Sequence, residues 1–191
     1  MENKQIFNIP NLLSFYRLLV FPFVLFLALT HRELLFVIFL VISLVTDVLD
    51  GLIARVFRME TEFGARLDSI ADIGTFVLAF TGIILFKWPD FQPHLPSFLA
   101  YMALFLSTQV FSLIKFGRFS SLHLYSWKIG GYIQGLFIIV LFTLGFHPLF
   151  YYLMITWAIL SALEHLAIQA ILPQMQSNAR GLYWVLKNRN T

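Results

Sequence analysis

Six long apolar segments dominate this 191-residue sequence and restrict the folds that it can adopt. A membrane-spanning helix needs about 20 predominantly apolar residues, and inside a bilayer only helices or closed barrels satisfy every backbone polar group. Apolar residues make up 59% of the chain, charged residues only 12%, and the mean hydropathy is +0.81, so no ordinary soluble domain fits this composition. We therefore predict an all-α integral membrane fold. Its six transmembrane helices are expected at residues 11–30, 34–55, 66–86, 96–115, 127–146 and 149–172.

Both ends of the chain differ from the apolar spans. Residues before Pro10 mix polar and apolar side chains, which is typical of a short N-terminal interfacial helix that leads into span 1. Residues 173–191 combine aromatic and basic side chains and are predicted to form an amphipathic C-terminal tail that anchors at the membrane surface. The organisation is thus one six-span domain over residues 1–172, followed by the tail. The chain has no cysteine, which excludes disulfides and thiol catalysis.

Basic residues are distributed unevenly over the predicted loops. The connections after spans 1, 3 and 5 fall on one side of the membrane, and they contain only Arg32 and Lys87 of the 13 lysines and arginines. Cytoplasmic loops are enriched in Lys and Arg. We therefore expect the opposite face, with both termini and the segment between spans 2 and 3, to be cytoplasmic. In a bacterium this would be a multi-pass protein of the inner or plasma membrane.

Four aspartates lie within 26 residues at the junction of spans 2 and 3. Carboxylates near membrane depth are unfavourable unless they are paired, hydrated or bound to metal. We predict that two acidic stripes face each other across the connection at residues 57–63 and form a functional site. Helical spacing defines these stripes, the first made of Asp47, Asp50, Gly51 and Ala54 and the second of Gly64, Asp68 and Asp72.

Converging carboxylates indicate a particular chemistry, because carboxylate oxygens are the ligands that Mg²⁺ and Mn²⁺ prefer. Four aspartates suit a pair of such ions, and a two-metal centre can hold the attacking and leaving oxygens of a phosphoryl displacement. Gly51 and Ala54 allow a substrate close to the helix backbone, and Arg55 can neutralise a diphosphate. The structural alternative is that single aspartates cap helix 3 or pair with Arg55, Arg58 or Arg66.

The spacing D-x2-D-G-x2-A-R-x8-G-x3-D-x3-D resembles the signature of the CDP-alcohol phosphotransferase (CDP-alcohol phosphatidyltransferase) family, class I. Its fixed positions are matched by Asp47, Asp50, Gly51, Ala54, Arg55, Gly64, Asp68 and Asp72. The stretch N-I-P-N-L-L-S-x2-R, from Asn8 to Arg17, is similar to the opening segment of the same family. The six-span layout extends the likeness over nearly the whole chain.

The resemblance implies an enzyme that transfers a substituted phosphate group from a CDP-linked donor to an alcohol and releases CMP. It implies two Mg²⁺ or Mn²⁺ ions held by Asp47, Asp50, Asp68 and Asp72, with Asp72 also serving as the general base that accepts the proton of the acceptor hydroxyl. It further implies a homodimer. Contacts with the donor nucleotide and diphosphate are expected from Gly51, Ala54, Arg55, Gly64, Asn11 and Ser14.

The opening segment carries polar residues for which two interpretations remain. By the resemblance, Asn11, Ser14 and Arg17 line the nucleotide pocket. The residues themselves also fit a structural role, in which Asn11 caps the first helix and Arg17 extends its charged end to the membrane interface.

A basic group lies between spans 4 and 5, on the same predicted side as the aspartates. Lys115, Arg118 and Lys128 can bind the phosphate of an acceptor. Lys128 is favoured because family members often have a lysine at the head of span 5. The alternative is that these residues only fix the topology.

The size of the chain and this basic group favour CDP-diacylglycerol as donor and a small polar, phosphorylated alcohol as acceptor, in phospholipid synthesis. Glycerol 3-phosphate, inositol, inositol phosphate and serine stay open as acceptors. A second branch of the family transfers phosphocholine or phosphoethanolamine from a soluble CDP-alcohol to diacylglycerol. Two alternative functions lie outside the family. A Mg²⁺-dependent intramembrane prenyltransferase would need more spans than this chain has. An ion transporter is less well supported, because no internal repeat is evident in the sequence.

Glu164 and His165 stand within span 6. Ionisable side chains inside a membrane are often functional. A contact that merely organises helices is the alternative, and the sequence allows both.

Overall fold

The computed structural model describes residues 8–59, 61–118, 120, 124–174 and 179–189. Within these ranges the chain is helical and contains no strand, and six helices are long and apolar enough to cross a membrane. The chain is therefore a multi-pass, all-α membrane protein, as the sequence predicts. The elements are α1 (Ile9–Leu29), α2 (Glu33–Val56), α3 (Glu62–Phe86), α4 (Trp88–Phe91), a 3₁₀ turn (Gln92–His94), α5 (Leu95–Phe116), α6 (Tyr125–Thr143), α7 (Pro148–Ile171) and α8 (Leu182–Arg189).

The start of α1 corrects one interpretation of the sequence. Asn8 is the N-cap, and its side chain accepts a hydrogen bond of 2.9 Å from the backbone N–H of Asn11. Asn11 therefore does not cap this helix. Pro10 follows in the first turn, where its missing N–H has no cost. Residues 1–7, which make up most of the predicted interfacial helix before Pro10, lie outside the described residues.

The third helix begins one turn earlier than expected. Thr61 is its N-cap, and the Thr61 hydroxyl accepts from the backbone N–H of Gly64 at 2.9 Å. Glu62 in the first turn interacts favourably with the positive end of the helix dipole. The predicted span begins at residue 66, and the cap at Thr61 extends the helix four residues before that position, to Glu62.

Residues 1–90 form one compact unit, in which α1 packs against both α2 and α3. Small residues on α3 permit this close approach, as is typical of membrane helices. Ala71, Thr75 and Ala79 form part of its buried stripe, and a Cβ added at Gly74 would stand 3.2 Å from the ring of Phe21. The packing of α1 brings its polar opening segment beside the aspartate-bearing parts of α2 and α3.

Residues 91–191 form a second compact unit, centred on α7, which packs against α5, α6 and α8. Tyr151 is fully buried in a group of aromatic rings that includes Phe91 and Phe137. Its hydroxyl donates to the backbone carbonyl of His94 at 3.1 Å. Buried tyrosines need such a partner for the O–H group.

The C-terminal segment is integrated into this second unit. Ala179 and Val185 are buried in a cluster with Leu124, Ile168 and Leu172. On the same helix as Val185, the side chains of Tyr183, Trp184 and Leu186 are exposed. The segment therefore keeps the amphipathic pattern that the sequence predicts, while its inner face forms part of the protein core.

Candidate active site

Four aspartates converge on one arginine in the first unit. The guanidinium of Arg17, on α1, reaches two aspartates of α2 and two of α3. Its Nη1 lies 2.6 Å from Asp47 Oδ1 and 2.9 Å from Asp72 Oδ1. Its Nη2 lies 2.8 Å from Asp50 Oδ2 and 2.6 Å from Asp68 Oδ1. The two acidic stripes therefore do face each other, with a cation between them.

Arg17 is 3% exposed, which contradicts the interpretation that its charged end extends to the membrane interface. A buried guanidinium needs opposite charges around it, and the aspartates supply them. One signal in the sequence points to this contact. Arg17 is the only basic residue in the apolar segment of α1, and a charge at that depth requires a partner from another helix.

The cluster has one closed and one open side. Asp50 is 3% exposed, and its Oδ2 accepts hydrogen bonds from both Arg17 and the hydroxyl of Ser14, the latter at 3.0 Å. The side chains of Asp47, Asp68 and Asp72 are 38%, 42% and 40% exposed. Asp50 therefore forms the floor of the site, and the other three carboxylates present oxygens to ligands that approach from outside.

The donor set fits a divalent metal. Asp47, Asp50 and Asp68 each offer a carboxylate oxygen, and these oxygens lie within 4.8 Å of one another. A Mg²⁺–oxygen distance of about 2.1 Å puts two opposite ligands about 4.2 Å apart, so small side-chain adjustments suffice. The group consists of hard oxygen donors alone, which suits Mg²⁺ or Mn²⁺ better than softer metals. Asp72 does not belong to this closest group.

The structural alternatives for the aspartates are not supported by the geometry. Thr61, and no aspartate, caps α3. The arginine that contacts all four carboxylates is Arg17 rather than one that is close in sequence. Arg55, one of the alternative partners, donates from Nε to the backbone carbonyl of Gly51 at 2.7 Å.

The residues expected at the donor pocket lie on the helices that carry the aspartates. Gly51 and Ala54 are half-buried on α2, and Arg55 is exposed beside them. Gly64 sits directly against Asn11, since a Cβ at this position would collide with Asn11 Oδ1. Asn11 is itself buried. The structure thus brings α1 and α3 into contact one helical turn before Asp68.

The basic residues expected to bind the acceptor lie in the second unit. Lys115 Nζ donates to the backbone carbonyls of Gln169 and Ala170, at 2.8 Å each, near the C-terminal end of α7. Cations are favourable at that end of a helix. Lys128 is exposed in the first turn of α6, and its Nζ lies 5.8 Å from the centre of the Tyr125 ring. Arg118 is exposed just after α5.

Glu164 and His165 take part in helix-organising contacts. Glu164 accepts hydrogen bonds from the Ser126 hydroxyl at 2.6 Å and from the backbone N–H of Leu182 at 2.9 Å. His165 Nδ1 accepts from Trp127 Nε1 at 3.0 Å, and Nε2 lies 2.6 Å from the Ser120 hydroxyl. The two side chains therefore connect α7 to α6, to the segment before it and to α8. This is the structural alternative that the sequence left open.

Comparison with known proteins identifies the family to which this geometry belongs. A family model described as CDP-alcohol phosphatidyltransferase matches residues 7–168. The chain belongs to this family. The match includes all four aspartates, Arg17, five complete spans and most of the sixth, and it confirms the resemblance seen in the motif.

Curated relatives of the chain share a smaller part of it. Three of them are named CDP-diacylglycerol–glycerol-3-phosphate 3-phosphatidyltransferase and come from Escherichia coli (strain K12), Shigella flexneri serotype 5b (strain 8401) and Shigella sonnei (strain Ss046). Each is 39% identical to this chain over 69 residues. The match covers 35% of this chain and 38% of each relative. The chain thus spans well under half the length of these relatives. No solved structure gives a significant match to the chain.

Proposed function

We propose that the protein transfers a phosphatidyl group from CDP-diacylglycerol to the hydroxyl of a small polar alcohol and releases CMP, as a step of phospholipid synthesis. The observation that carries this proposal is the convergence of four aspartates of the family motif at one place in a membrane-embedded helix bundle. Family membership narrows the chemistry to CDP-linked donors. The curated relatives are named for the use of CDP-diacylglycerol, which favours it as the donor.

In this proposal Asp47, Asp50, Asp68 and Asp72 hold two ions of Mg²⁺ or Mn²⁺, and the first three supply the closest group of oxygens. When bound, the ions would make the acceptor hydroxyl more acidic and offset the charge of the diphosphate. Asp72 also serves as the general base, and it lies outside the closest group of ligand oxygens. It accepts the proton of the acceptor hydroxyl, which then attacks the β-phosphorus of the donor and displaces CMP.

The donor headgroup would lie against α2 and the start of α3. Gly51 and Ala54 present little side chain, so a nucleotide can approach the helix backbone there. Arg55 is exposed next to them and supplies a guanidinium for the diphosphate. Gly64 and Asn11 fix the spacing between α1 and α3. The Ser14 hydroxyl, which bonds to Asp50, orients the floor of the site.

Glycerol 3-phosphate is our first candidate for the acceptor, because it appears in the name of the curated relatives. Lys128 is the best candidate for its phosphate ligand. It is exposed in the first turn of α6, where the positive end of the helix dipole favours an anion. Arg118 is a second candidate. Lys115 is a weaker one, since its ammonium group already bonds to two carbonyls of α7.

The proposed function includes a membrane orientation and an oligomeric state. The distribution of basic residues in the sequence favours a site that opens to the cytoplasm. CDP-linked donors are made in that compartment, so the substrate and the site would meet there. The family resemblance favours a homodimer.

CMP release by the purified protein tests the function. The assay contains CDP-diacylglycerol, Mg²⁺ or Mn²⁺, and one acceptor at a time from glycerol 3-phosphate, inositol, inositol phosphate, serine and water. We expect acceptor-dependent CMP release that EDTA abolishes. An Asp68→Asn variant purified in the same way controls for host enzymes. Absence of release with every acceptor, together with release from CDP-choline or CDP-ethanolamine in the presence of diacylglycerol, would overturn the donor assignment.

Replacing Lys128 with Gln is expected to weaken the binding of a phosphorylated acceptor, and not that of an acceptor without a phosphate. A hydrogen bond to a charged group contributes about 1.5–3 kcal/mol, so KM for glycerol 3-phosphate should rise about 10–100-fold while kcat changes little. Initial rates of CMP release at saturating donor measure both constants.

The matched control for this variant is Lys87→Gln, which removes the same charge from the residue that pairs with Glu33. It should leave KM for the acceptor unchanged. An equal rise of KM in both variants, or a rise with inositol as large as that with glycerol 3-phosphate, would show that Lys128 does not bind the acceptor phosphate.

A further inference from the structure

We infer that Arg17 is a resident counter-cation of the aspartate cluster, which occupies the metal-binding carboxylates before the ions bind and competes with them. This inference rests on the proposed function, because it takes Asp47, Asp50 and Asp68 as the metal ligands. It assigns a role to a residue of α1 that the motif on α2 and α3 does not contain. Arg17 would thereby set the concentration of divalent ion at which the site fills.

The hydrogen-bond geometry of Arg17 supports this role. A guanidinium carries five N–H donors, four of them on its two terminal nitrogens. Each terminal nitrogen contacts two aspartates, so one N–H is available for each of the four carboxylates. The remaining donor, Nε–H, is buried and has no partner among the residues that the structure describes. The side chain is therefore committed to the aspartates rather than shared with the surrounding helices.

The charge balance shows why the cluster still attracts metal. Four carboxylates against one guanidinium leave three uncompensated negative charges. Carboxylates held together away from water repel each other strongly. The guanidinium reduces this repulsion in the metal-free protein, and the exposed sides of Asp47, Asp68 and Asp72 leave a route for divalent ions.

Competition follows because both cations use the same carboxylates. Arg17 bonds to all three members of the group whose oxygens lie within 4.8 Å of one another. An ion that coordinates these oxygens must weaken at least some of the contacts with Arg17. By thermodynamic linkage, the free energy of those contacts is then subtracted from the binding free energy of the ion.

The test is Mn²⁺ binding to the metal-stripped, detergent-solubilised protein without donor or acceptor, measured from the electron paramagnetic resonance signal of free Mn²⁺. Arg17→Gln removes the competing charge and should tighten Mn²⁺ binding at least 10-fold. Thermal unfolding in EDTA should occur at a lower temperature than in the wild type, because four carboxylates then lack a counter-charge. Saturating Mn²⁺ should recover most of that loss.

Arg17→Lys provides a second variant in case the Gln variant does not fold. A lysine keeps the charge but has one ammonium group in place of the planar fork, so it should tighten Mn²⁺ binding by a smaller factor. Lys87→Gln is the matched control, as it removes one positive charge and one ion pair, with Glu33 at 2.8 Å. Glu33 is about 21 Å along α2 from Asp47 at 1.5 Å per residue, so Mn²⁺ affinity should not change.

The outcomes separate this inference from the proposed function. Mn²⁺ binding to the wild type with equal affinity in the Arg17 variants would overturn the inference and leave the metal site in place. Weaker binding in those variants would also overturn it, because Arg17 would then organise the ligands instead of competing for them. A wild-type protein that binds no Mn²⁺ at millimolar concentration would refute the metal site itself, and the inference with it.

Discussion

Replacing Asp72 with Asn is expected to lower kcat for CMP release by about 10²–10⁴-fold, the range that a general base contributes. Asn has nearly the same shape but cannot accept the proton of the acceptor hydroxyl. Asp72 also lies outside the closest group of metal-ligand oxygens, so binding of the donor should be largely preserved. Steady-state kinetics together with binding of CDP-diacylglycerol to the purified variant measure the two effects separately.

A comparison with Asp47→Asn distinguishes a base from a metal ligand. Loss of a ligand weakens metal binding, so raising Mg²⁺ should restore much of the activity of the Asp47 variant. The same addition should not restore the Asp72 variant. Asp90→Asn, an identical change at an exposed position, should retain wild-type turnover. Recovery of the Asp72 variant at high Mg²⁺ would show that Asp72 acts only as a ligand and not as the base.

The carboxylate cluster was predictable because its four aspartates lie on two helices that are adjacent in sequence. Helical spacing alone aligns Asp47 with Asp50 and Asp68 with Asp72. A connection of a few residues between α2 and α3 then makes the two stripes neighbours. The cost of unpaired carboxylates near membrane depth excludes most other arrangements. The number of spans was also predictable, from the length and composition of the six apolar segments.

The partner of the cluster was harder to predict, because it comes from a helix that is distant in sequence. Arg17 is 30 residues from Asp47 and 55 from Asp72 along the chain, and no spacing rule relates these positions. The same limitation applies to α8, whose N–H group at Leu182 bonds to Glu164. An amphipathic pattern predicts that one face of such a helix is apolar, but not whether lipid or protein covers it.

The contacts of basic residues near helix ends were also beyond the reach of sequence patterns. Lys115 is a candidate phosphate ligand by its position, and its ammonium group donates to two carbonyls near the end of α7. The last carbonyls of a helix lack intrahelical partners and attract cations. A lysine can satisfy this requirement from a neighbouring helix. Sequence patterns do not reveal such contacts because the acceptors are backbone atoms.

Replacing Gly64 with Ala is the second change with a large expected effect. The added Cβ would collide with Asn11 Oδ1 and stand 3.0 Å from Thr61 Oγ1. Asn11 is buried, so its side chain has little space in which to move. Overpacking typically costs about 1–3 kcal/mol, and the strain should push α1 away from α3. Since α1 carries Arg17 and Ser14, we expect activity to fall at least 10-fold together with the unfolding temperature.

A double-mutant cycle identifies the cause of this effect. Asn11→Ala removes the colliding atoms, so the Gly64→Ala substitution should destabilise the Asn11→Ala background much less than the wild type. Unfolding temperature is the measurement, because Asn11 is itself a candidate donor contact and activity would mix the two effects. Gly135→Ala is the matched control, since in the part of the chain that the structure describes no atom beyond the local helix backbone lies within 4 Å of a Cβ added there, and alanine favours a helix. Equal destabilisation by Gly64→Ala in both backgrounds would show that contact between Asn11 and Gly64 does not set the spacing of α1 and α3.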